Sequence, residues 1–224
     1  MRTLVFGDIH GSAIALQTLL EHLAPEPDDH LIFLGDYIDR GPASRRVIET
    51  LVELKATAAS SSPVFLRGNH EVMMLDAREG ASKRNLWLSY GGIDTLESYG
   101  TNYQRDWVSV IPEMHWSFLE ATRTFYETES HIFVHACVDP ELEMNQQPSW
   151  LLYWEPFDKI RPHFSGKIVV CGHTPQRSGE IKDVGFAVCI DTRAAGEGWL
   201  TCLEPDARHY WQANEKGKVR EGAL

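Results

Sequence analysis

Apolar residues follow two different spacings in the first half of the chain. Short continuous runs, such as the one at 31–34, are typical of strands that are covered on both faces. Apolar positions three and four residues apart, as at Leu16, Leu19 and Leu23, indicate amphipathic helices. The predicted strands are 3–7, 31–34 and 63–66, and the predicted helices are 12–23, 43–55 and 71–78. This alternation predicts a parallel sheet with right-handed crossovers.

The second half of the chain is dominated by predicted strands. They are 124–128, 131–135, 167–171, 187–190, 199–203 and 209–211. The middle segment, 82–122, is predicted to be helical with glycine breaks, and 58–62 to be a surface loop. We therefore predict one α/β domain over 1–212. A polar tail over 213–224 follows, and we expect it to be frayed.

Composition restricts the classes of partner. The chain has 224 residues, with 21 Lys and Arg against 32 Asp and Glu, for a formal net charge of −11. This excludes a broad surface for nucleic acid or for an anionic membrane, since both need a basic face. The four cysteines form no Cys-x-x-Cys pair, and no run of about 18 apolar residues or signal region is found. We therefore expect a cytoplasmic protein with reduced thiols and no membrane partner; the sequence carries no signal for oligomeric state.

Residues that bind metals in proteins lie directly after the predicted strands. Gly-Asp-Ile-His-Gly occupies 7–11, Gly-Asp-Tyr-Ile-Asp-Arg-Gly occupies 35–41, and Arg-Gly-Asn-His-Glu occupies 67–71. Two later strands end in His135 and in Gly172-His173. Since the carboxyl ends of parallel strands open onto one crevice, these segments are expected to meet in space.

The side chains of these segments form a set of oxygen and nitrogen donors. The candidate metal ligands are Asp8, His10, Asp36, Asn69, His135 and His173. Such donors suit Mn²⁺, with Fe or Zn²⁺ as alternatives. Six ligands are too many for one open catalytic ion, but they suit two divalent ions that share a carboxylate and activate a bridging water.

Other residues of the same loops suit phosphate chemistry. Arg40 and Arg67 offer planar donor forks for phosphate oxygens. His70 is a candidate general acid for the leaving group, and Asp39 is a candidate partner that keeps its imidazole charged and oriented. With two divalent ions, the pocket is about three charges positive, although the chain as a whole is acidic.

The segments at 7–11, 35–41 and 68–71 resemble the three signature segments of the phosphoprotein phosphatase superfamily of binuclear metallophosphoesterases. His135 and Gly172-His173 are similar to its two later histidine segments, and the type most similar is that of small bacterial and lambda-phage protein phosphatases. The resemblance implies four layers, two packed mixed β-sheets flanked by helices. It implies that Asp8, His10 and Asp36 hold one ion, and that Asp36, Asn69, His135 and His173 hold the other. It also implies an acid dyad of His70 with Asp39, and a phosphate clamp of Arg40 and Arg67.

The sequence departs from that pattern at one phosphate contact. In the phage relative an arginine follows the tryptophan near the later metal loop, whereas Trp154 here is followed by Glu155 and Pro156. We expect Arg193 to supply the third phosphate contact; Arg161 and Arg177 are the alternatives.

The function expected is a metal-dependent phosphomonoesterase, similar to serine/threonine protein phosphatases. A metal-bridging hydroxide would attack phosphorus directly, and His70 would protonate the leaving oxygen. The substrate expected is a phosphorylated protein or a small phosphate ester. One alternative is symmetrical hydrolysis of diadenosine tetraphosphate by the same superfamily. Another is a non-catalytic phosphate-binding protein, which the complete set of site residues disfavours.

Overall fold

The computed structural model describes residues 2–58, 62–103 and 106–224, so residues 59–61 of the expected surface loop at 58–62 lie outside it. The strands are β1 Thr3–Phe6, β2 His30–Phe33, β3 Val64–Phe65, β4 Phe125–Glu127, β5 His131–Val134, β6 Ile168–Cys171, β7 Lys182–Asp183, β8 Ala187–Cys189, β9 Leu200–Glu204, β10 His209–Ala213 and β11 Val219–Ala223. The α-helices are α1 Ala13–Leu23, α2 Ser44–Thr57, α3 Asn69–Ala77, α4 Ala81–Trp87, α5 Ile93–Ser98, α6 Glu113–Glu120 and α7 Ser149–Trp154. None of the described helices is long and apolar enough to cross a membrane.

The strands form two mixed sheets. The first has the order β11-β10-β9-β1-β2-β3, with β1, β2 and β3 parallel and the remaining pairs antiparallel. The second has the order β4-β5-β6-β8-β7, with β5, β6 and β8 parallel. The parallel centre of each sheet follows from buried apolar runs, as the strand–helix pattern predicted.

Three apolar clusters separate the layers. Val5 and Ile32 of the first sheet pack with Phe133 and Val170 of the second, which places one cluster between the sheets. A larger cluster packs α1, α2 and α3 on the outer face of the first sheet, and a smaller one includes Leu152 of α7 on the second. The four-layer α/β fold, two packed mixed sheets flanked by helices, is therefore confirmed.

The expectation of a frayed tail over 213–224 is wrong. Ala213 ends β10, and residues 219–223 form the edge strand β11, which pairs along the whole length of β10. In the intervening turn, the Glu215 carboxylate accepts a 3.0 Å hydrogen bond from the backbone N–H of Ala15 in the first turn of α1. An acidic group is favourable at this position, since the first N–H groups of a helix have no partner within it.

Candidate active site

The loops that carry the predicted ligands follow β1, β2, β5 and β6, and Asn69 begins α3 after β3. Several of these residues have positive φ, a backbone region that L-residues rarely adopt. Of the eight described non-glycine residues with positive φ, six are candidate site residues: His10, Asp36, Asp39, Arg40, His173 and Arg193. Strained backbone of this kind clusters at functional sites, where the surrounding structure holds it in place.

Asp36 lies at the centre of the site and is buried. Its Oδ2 lies 3.4 Å from His10 Nε2, and its Oδ1 lies 3.5 Å from His135 Nε2. Two groups with the spacing of metal ligands share Asp36, one with His10 and His70 and the other with His135 and His173. A carboxylate with one oxygen toward each group is the arrangement that a bridging ligand requires.

Asn69 completes the second group. Its Oδ1 lies 2.9 Å from His135 Nε2 and 3.0 Å from His173 Nδ1. Three predicted ligands therefore converge on one point beside Asp36, although they come from three separate segments of the chain.

Two of the predicted histidine ligands are held as neutral rings. Nδ1 of His10 lies 2.9 Å from the carbonyl of Ile38, and Nδ1 of His135 lies 3.1 Å from that of Leu34. With Nδ1–H donating to a carbonyl, Nε2 keeps its lone pair. Burial lowers the pKa of His10 to about 3 and that of His135 to about 4, so both rings are uncharged at neutral pH.

Asp8 is buried at the edge of the cluster. Its carboxylate accepts a 3.0 Å hydrogen bond from the backbone N–H of His173, and a Cβ at Gly172 would collide with it. Asp8 thus lies beside the two groups around Asp36 and is not a member of either. Burial, followed by the nearby carboxylates of Asp191 and Asp36, raises the pKa of Asp8 well above its usual value. Buried carboxylates this close favour cations at the site.

His70 and Asp39 form the predicted pair. Both are fully buried, and His70 Nδ1 lies 2.7 Å from Asp39 Oδ2. His70 Nε2 has no hydrogen-bond partner in the described part of the chain and lies 4.0 Å from Asp36 Oδ2. Burial alone would lower the pKa of His70, but Asp36 and the hydrogen bond to Asp39 outweigh burial and raise it.

Sequence reasoning missed the donors that hold Asp39. Trp87 Nε1 donates to Asp39 Oδ2 at 2.8 Å, and Thr95 Oγ1 donates to Asp39 Oδ1 at 2.7 Å. Thr95 Oγ1 also accepts from the backbone N–H of Asp39 at 2.9 Å. The carboxylate is therefore fixed by three side chains, His70 included. Trp87 and Thr95 lie outside the segments at 7–11, 35–41 and 68–71, so none of these motifs pointed to them.

Sequence reasoning also missed the structural role of Glu71. Its buried carboxylate accepts three 2.8 Å hydrogen bonds, from the backbone N–H groups of Asp36, Tyr37 and Gly68. These bonds tie the loop after β2 to the loop after β3. Glu71 thus positions both Asp36 and the start of α3, which carries Asn69.

The three predicted phosphate-binding arginines differ in position. Arg40 and Arg193 line one cavity of about 270 Å³ together with His10 and Asp191. Arg40 Nη1 lies 2.9 Å from His10 Nε2, so a cationic group already faces that lone pair. The structure does not bring Arg67 into this cavity. Its guanidinium donates to Thr122 Oγ1 and to the carbonyls at 119, 120 and 122, at the end of α6.

The sequence matches the calcineurin-like phosphoesterase model over residues 1–191. The chain belongs to the calcineurin-like phosphoesterase family. The resemblance seen in the motifs at 7–11, 35–41 and 68–71 is thereby confirmed.

Two bacterial relatives of this calcineurin-like phosphoesterase are serine/threonine-protein phosphatases. Serine/threonine-protein phosphatase 1 of Salmonella typhimurium is 44% identical over 89 residues, which are 39% of this chain and 38% of the relative. Serine/threonine-protein phosphatase 2 of Escherichia coli is 37% identical over 112 residues, 50% of this chain and 47% of the relative. The chain therefore spans less than half the length of these curated relatives.

Solved structures share the fold over nearly the whole chain. A provisionally assigned diadenosine tetraphosphatase has a TM-score of 0.64 and 19% identity, over 99% of this chain and 93% of its own. A cold-active protein tyrosine phosphatase has a TM-score of 0.66 and 18% identity, over 98% of this chain and 78% of its own. At these identities the likeness shows the calcineurin-like phosphoesterase fold alone.

Proposed function

We propose that this protein is a metal-dependent phosphomonoesterase that removes phosphate from phosphoserine and phosphothreonine. The observation that carries the proposal is the position of Asp36 between two groups with the spacing of metal ligands. The Nε2 of buried His70 lies 4.0 Å from Asp36 and has no hydrogen-bond partner among the residues that the structure describes. The similarity to two bacterial serine/threonine-protein phosphatases supports the substrate class.

The donor set fits two divalent ions. Asp8, His10 and Asp36 would hold one ion, and Asp36, Asn69, His135 and His173 would hold the other. Neutral histidine lone pairs that face the shared carboxylate of Asp36 support the parts of His10 and His135 in this assignment. The part of Asp8 rests on the resemblance to the family and on its burial beside the two groups. Because all the donors are oxygen or nitrogen, Mn²⁺ is the ion we propose. When bound, such ions lower the pKa of a water and bind phosphate oxygens.

The chain's own residues bind the ester and move the proton. Arg40 and Arg193, on one cavity with His10, bind the phosphate oxygens through their donor forks. His70 donates its Nε2 proton to the leaving oxygen, and Asp39 holds the ring through Nδ1. Arg67 has a different part in the proposal. Its bonds to the end of α6 anchor the segment that leads into α3, the helix that carries His70.

The second candidate is symmetrical hydrolysis of diadenosine tetraphosphate; one solved structure of the same fold has been assigned as a diadenosine tetraphosphatase. That structure is only 19% identical, so it ranks behind the protein phosphatases at 44% and 37%. We also propose a cytoplasmic location, because all four cysteines are buried free thiols.

A substrate panel tests the proposal. Protein stripped of metal and reloaded with Mn²⁺ is assayed for kcat/KM on a phosphothreonine peptide, p-nitrophenyl phosphate and diadenosine tetraphosphate. We expect kcat/KM to be highest for the peptide and to fall at least 100-fold in His70→Asn. A higher value for diadenosine tetraphosphate would favour the second candidate, and hydrolysis of none would contradict both.

A further inference from the structure

Two cavities of the described structure meet at Arg193. The first, of about 270 Å³, is the one that Arg193 shares with His10, Arg40 and Asp191. The second, of about 200 Å³, is lined by Arg193 together with Arg177, Thr192, Gly198 and others. Because Arg193 lines both, the second cavity adjoins the one at which the scissile phosphate is proposed to bind.

The second cavity is suited to an anion. The Arg177 and Arg193 side chains have no carboxylate at ion-pairing distance within the described residues. Ser178 lines the same cavity and adds a hydroxyl. The exposed Glu197 also lines it, so the residues that line the cavity include two arginines and one glutamate. A net positive, partly enclosed cavity is unusual on a chain whose net charge is −11.

The loop that presents Arg193 is held closed. The backbone N–H of Trp199 donates to the carbonyl of Thr192 at 3.0 Å, and Thr192 Oγ1 donates to the carbonyl of Trp199 at 2.7 Å. A Cβ at Gly198 would collide with the carbonyl oxygens of Thr192 and Arg193. The N–H of Arg193, which has a φ of 61°, donates to Asp191 Oδ1 at 3.0 Å. The backbone of Arg193 is thus fixed between the two cavities.

We propose that the second cavity binds a second phosphate group of the substrate. This inference rests on the proposed phosphomonoesterase function and narrows its substrate class to esters that carry another phosphate near the scissile one. Arginine forks match the oxygens of a phosphate dianion in a bidentate manner. Arg193 contacts both phosphates, whereas Arg177 contacts the second alone.

Paired peptides test the subsite. Both peptides of a pair carry the same phosphothreonine. One of the two also carries a phosphoserine one, two or three residues away from it. For the Mn²⁺-loaded wild type, we expect kcat/KM of the best doubly phosphorylated peptide to be about tenfold higher than that of its singly phosphorylated partner. The difference should come from a lower KM, and tenfold is about the size expected for one hydrogen bond between charged groups. Arg177→Ala is expected to remove this preference, and Arg177→Lys to restore part of it. Arg46→Ala, a change at an exposed arginine on α2, is the matched control and keeps the preference.

The outcomes separate the subsite from the proposed function. Hydrolysis of both peptides with equal kcat/KM, or an equal loss for both in Arg177→Ala, overturns the subsite while the phosphatase function stands. Hydrolysis of neither overturns both. Diadenosine tetraphosphate is assayed alongside the peptides. Arg177→Ala could instead raise KM for this compound and leave the preference for the doubly phosphorylated peptide intact. The second cavity would then bind a phosphate of a polyphosphate chain, and the proposal that it binds a second phosphate on a protein substrate would be wrong.

Discussion

Replacing Thr95 by valine deletes the hydroxyl that donates to Asp39 Oδ1 at 2.7 Å while it keeps the size and branching of the side chain. The backbone N–H of Asp39 retains a partner, since Ser44 Oγ accepts from it at 3.1 Å. The carboxylate keeps Trp87 and His70 as donors. A hydrogen bond to a buried charged group contributes about 1.5–3 kcal/mol, so we expect the free energy of unfolding to fall by that amount.

The catalytic effect depends on the leaving group. Losing one of three donors lets the Asp39 carboxylate turn, and the His70 ring loses its alignment toward the leaving oxygen. The lower bound of the bond energy corresponds to about a tenfold fall in kcat. We expect this fall for phenyl phosphate, whose phenolate leaves poorly without a proton, and a fall below threefold for p-nitrophenyl phosphate. Steady-state kcat for the two esters, with saturating Mn²⁺, measures the difference.

Thr50→Val is the matched control, because Thr50 also lies in a helix and its hydroxyl donates to the carbonyl of Arg46. It is expected to leave both kcat values unchanged. An equal fall for phenyl and p-nitrophenyl phosphate in Thr95→Val would refute the claim that Thr95 acts through the proton donor.

Three further perturbations test the framework of the site and of the fold. In Glu71→Gln, one of the three buried backbone N–H groups faces the NH₂ group of the new side chain and has no acceptor. The free energy of unfolding of the metal-free protein, measured by urea denaturation, is therefore expected to fall by about 3 kcal/mol. Gly172→Ala places a methyl group against Asp8 Oδ1, so calorimetry with Mn²⁺ is expected to show at least tenfold weaker binding. Burial would raise the pKa of Asp29, but its bonds from Arg2 and the backbone hold it at about 2. The ion pair of Asp29 with Arg2 therefore contributes its full stabilisation above the pKa of about 3.9 that Asp29 has in the unfolded chain. This contribution, at most about 2 kcal/mol, is lost as the pH falls toward 2.

Each of these perturbations has a control. Glu79→Gln is the control for Glu71→Gln, because it changes an exposed carboxylate just after α3, the helix that contains Glu71. It is expected to leave the free energy of unfolding unchanged within about 0.5 kcal/mol. Gly80→Ala, where a Cβ would meet nothing within 4 Å, is the control for metal affinity. Asp29→Asn should flatten the stability profile between pH 5 and 2.5. A wild-type profile in that variant would contradict the assignment to Asp29.

The position of the site could be predicted from the sequence because its residues follow buried strands. An apolar run fixes where a strand ends, and the parallel strands of the first sheet bring His10 and Asp36 to one edge. The packing of the second sheet against the first brings His135 beside them. The direction of a long side chain is a different matter. Arg67 points to carbonyls at the end of α6, more than fifty residues along the chain, and no local pattern signals those acceptors.

Two other features were not predictable from local pattern for physical reasons. The β10–β11 hairpin lies at a sheet edge, and alternate residues of β11 are exposed, so its polar sequence carries no apolar period. Among the described residues, Glu71 has only backbone N–H groups as hydrogen-bond partners, and those groups exist at every residue other than proline. Its function depends on the loops that the fold brings to it.

We propose that phosphate ester hydrolysis by this protein depends on two ions bound around Asp36. This dependence is tested most directly by titrating chelator-stripped protein with Mn²⁺ while hydrolysis of a phosphothreonine peptide is followed. We predict no hydrolysis before metal is added and a plateau at two bound ions per chain. Hydrolysis by the stripped protein, or a plateau at one bound ion, would contradict it.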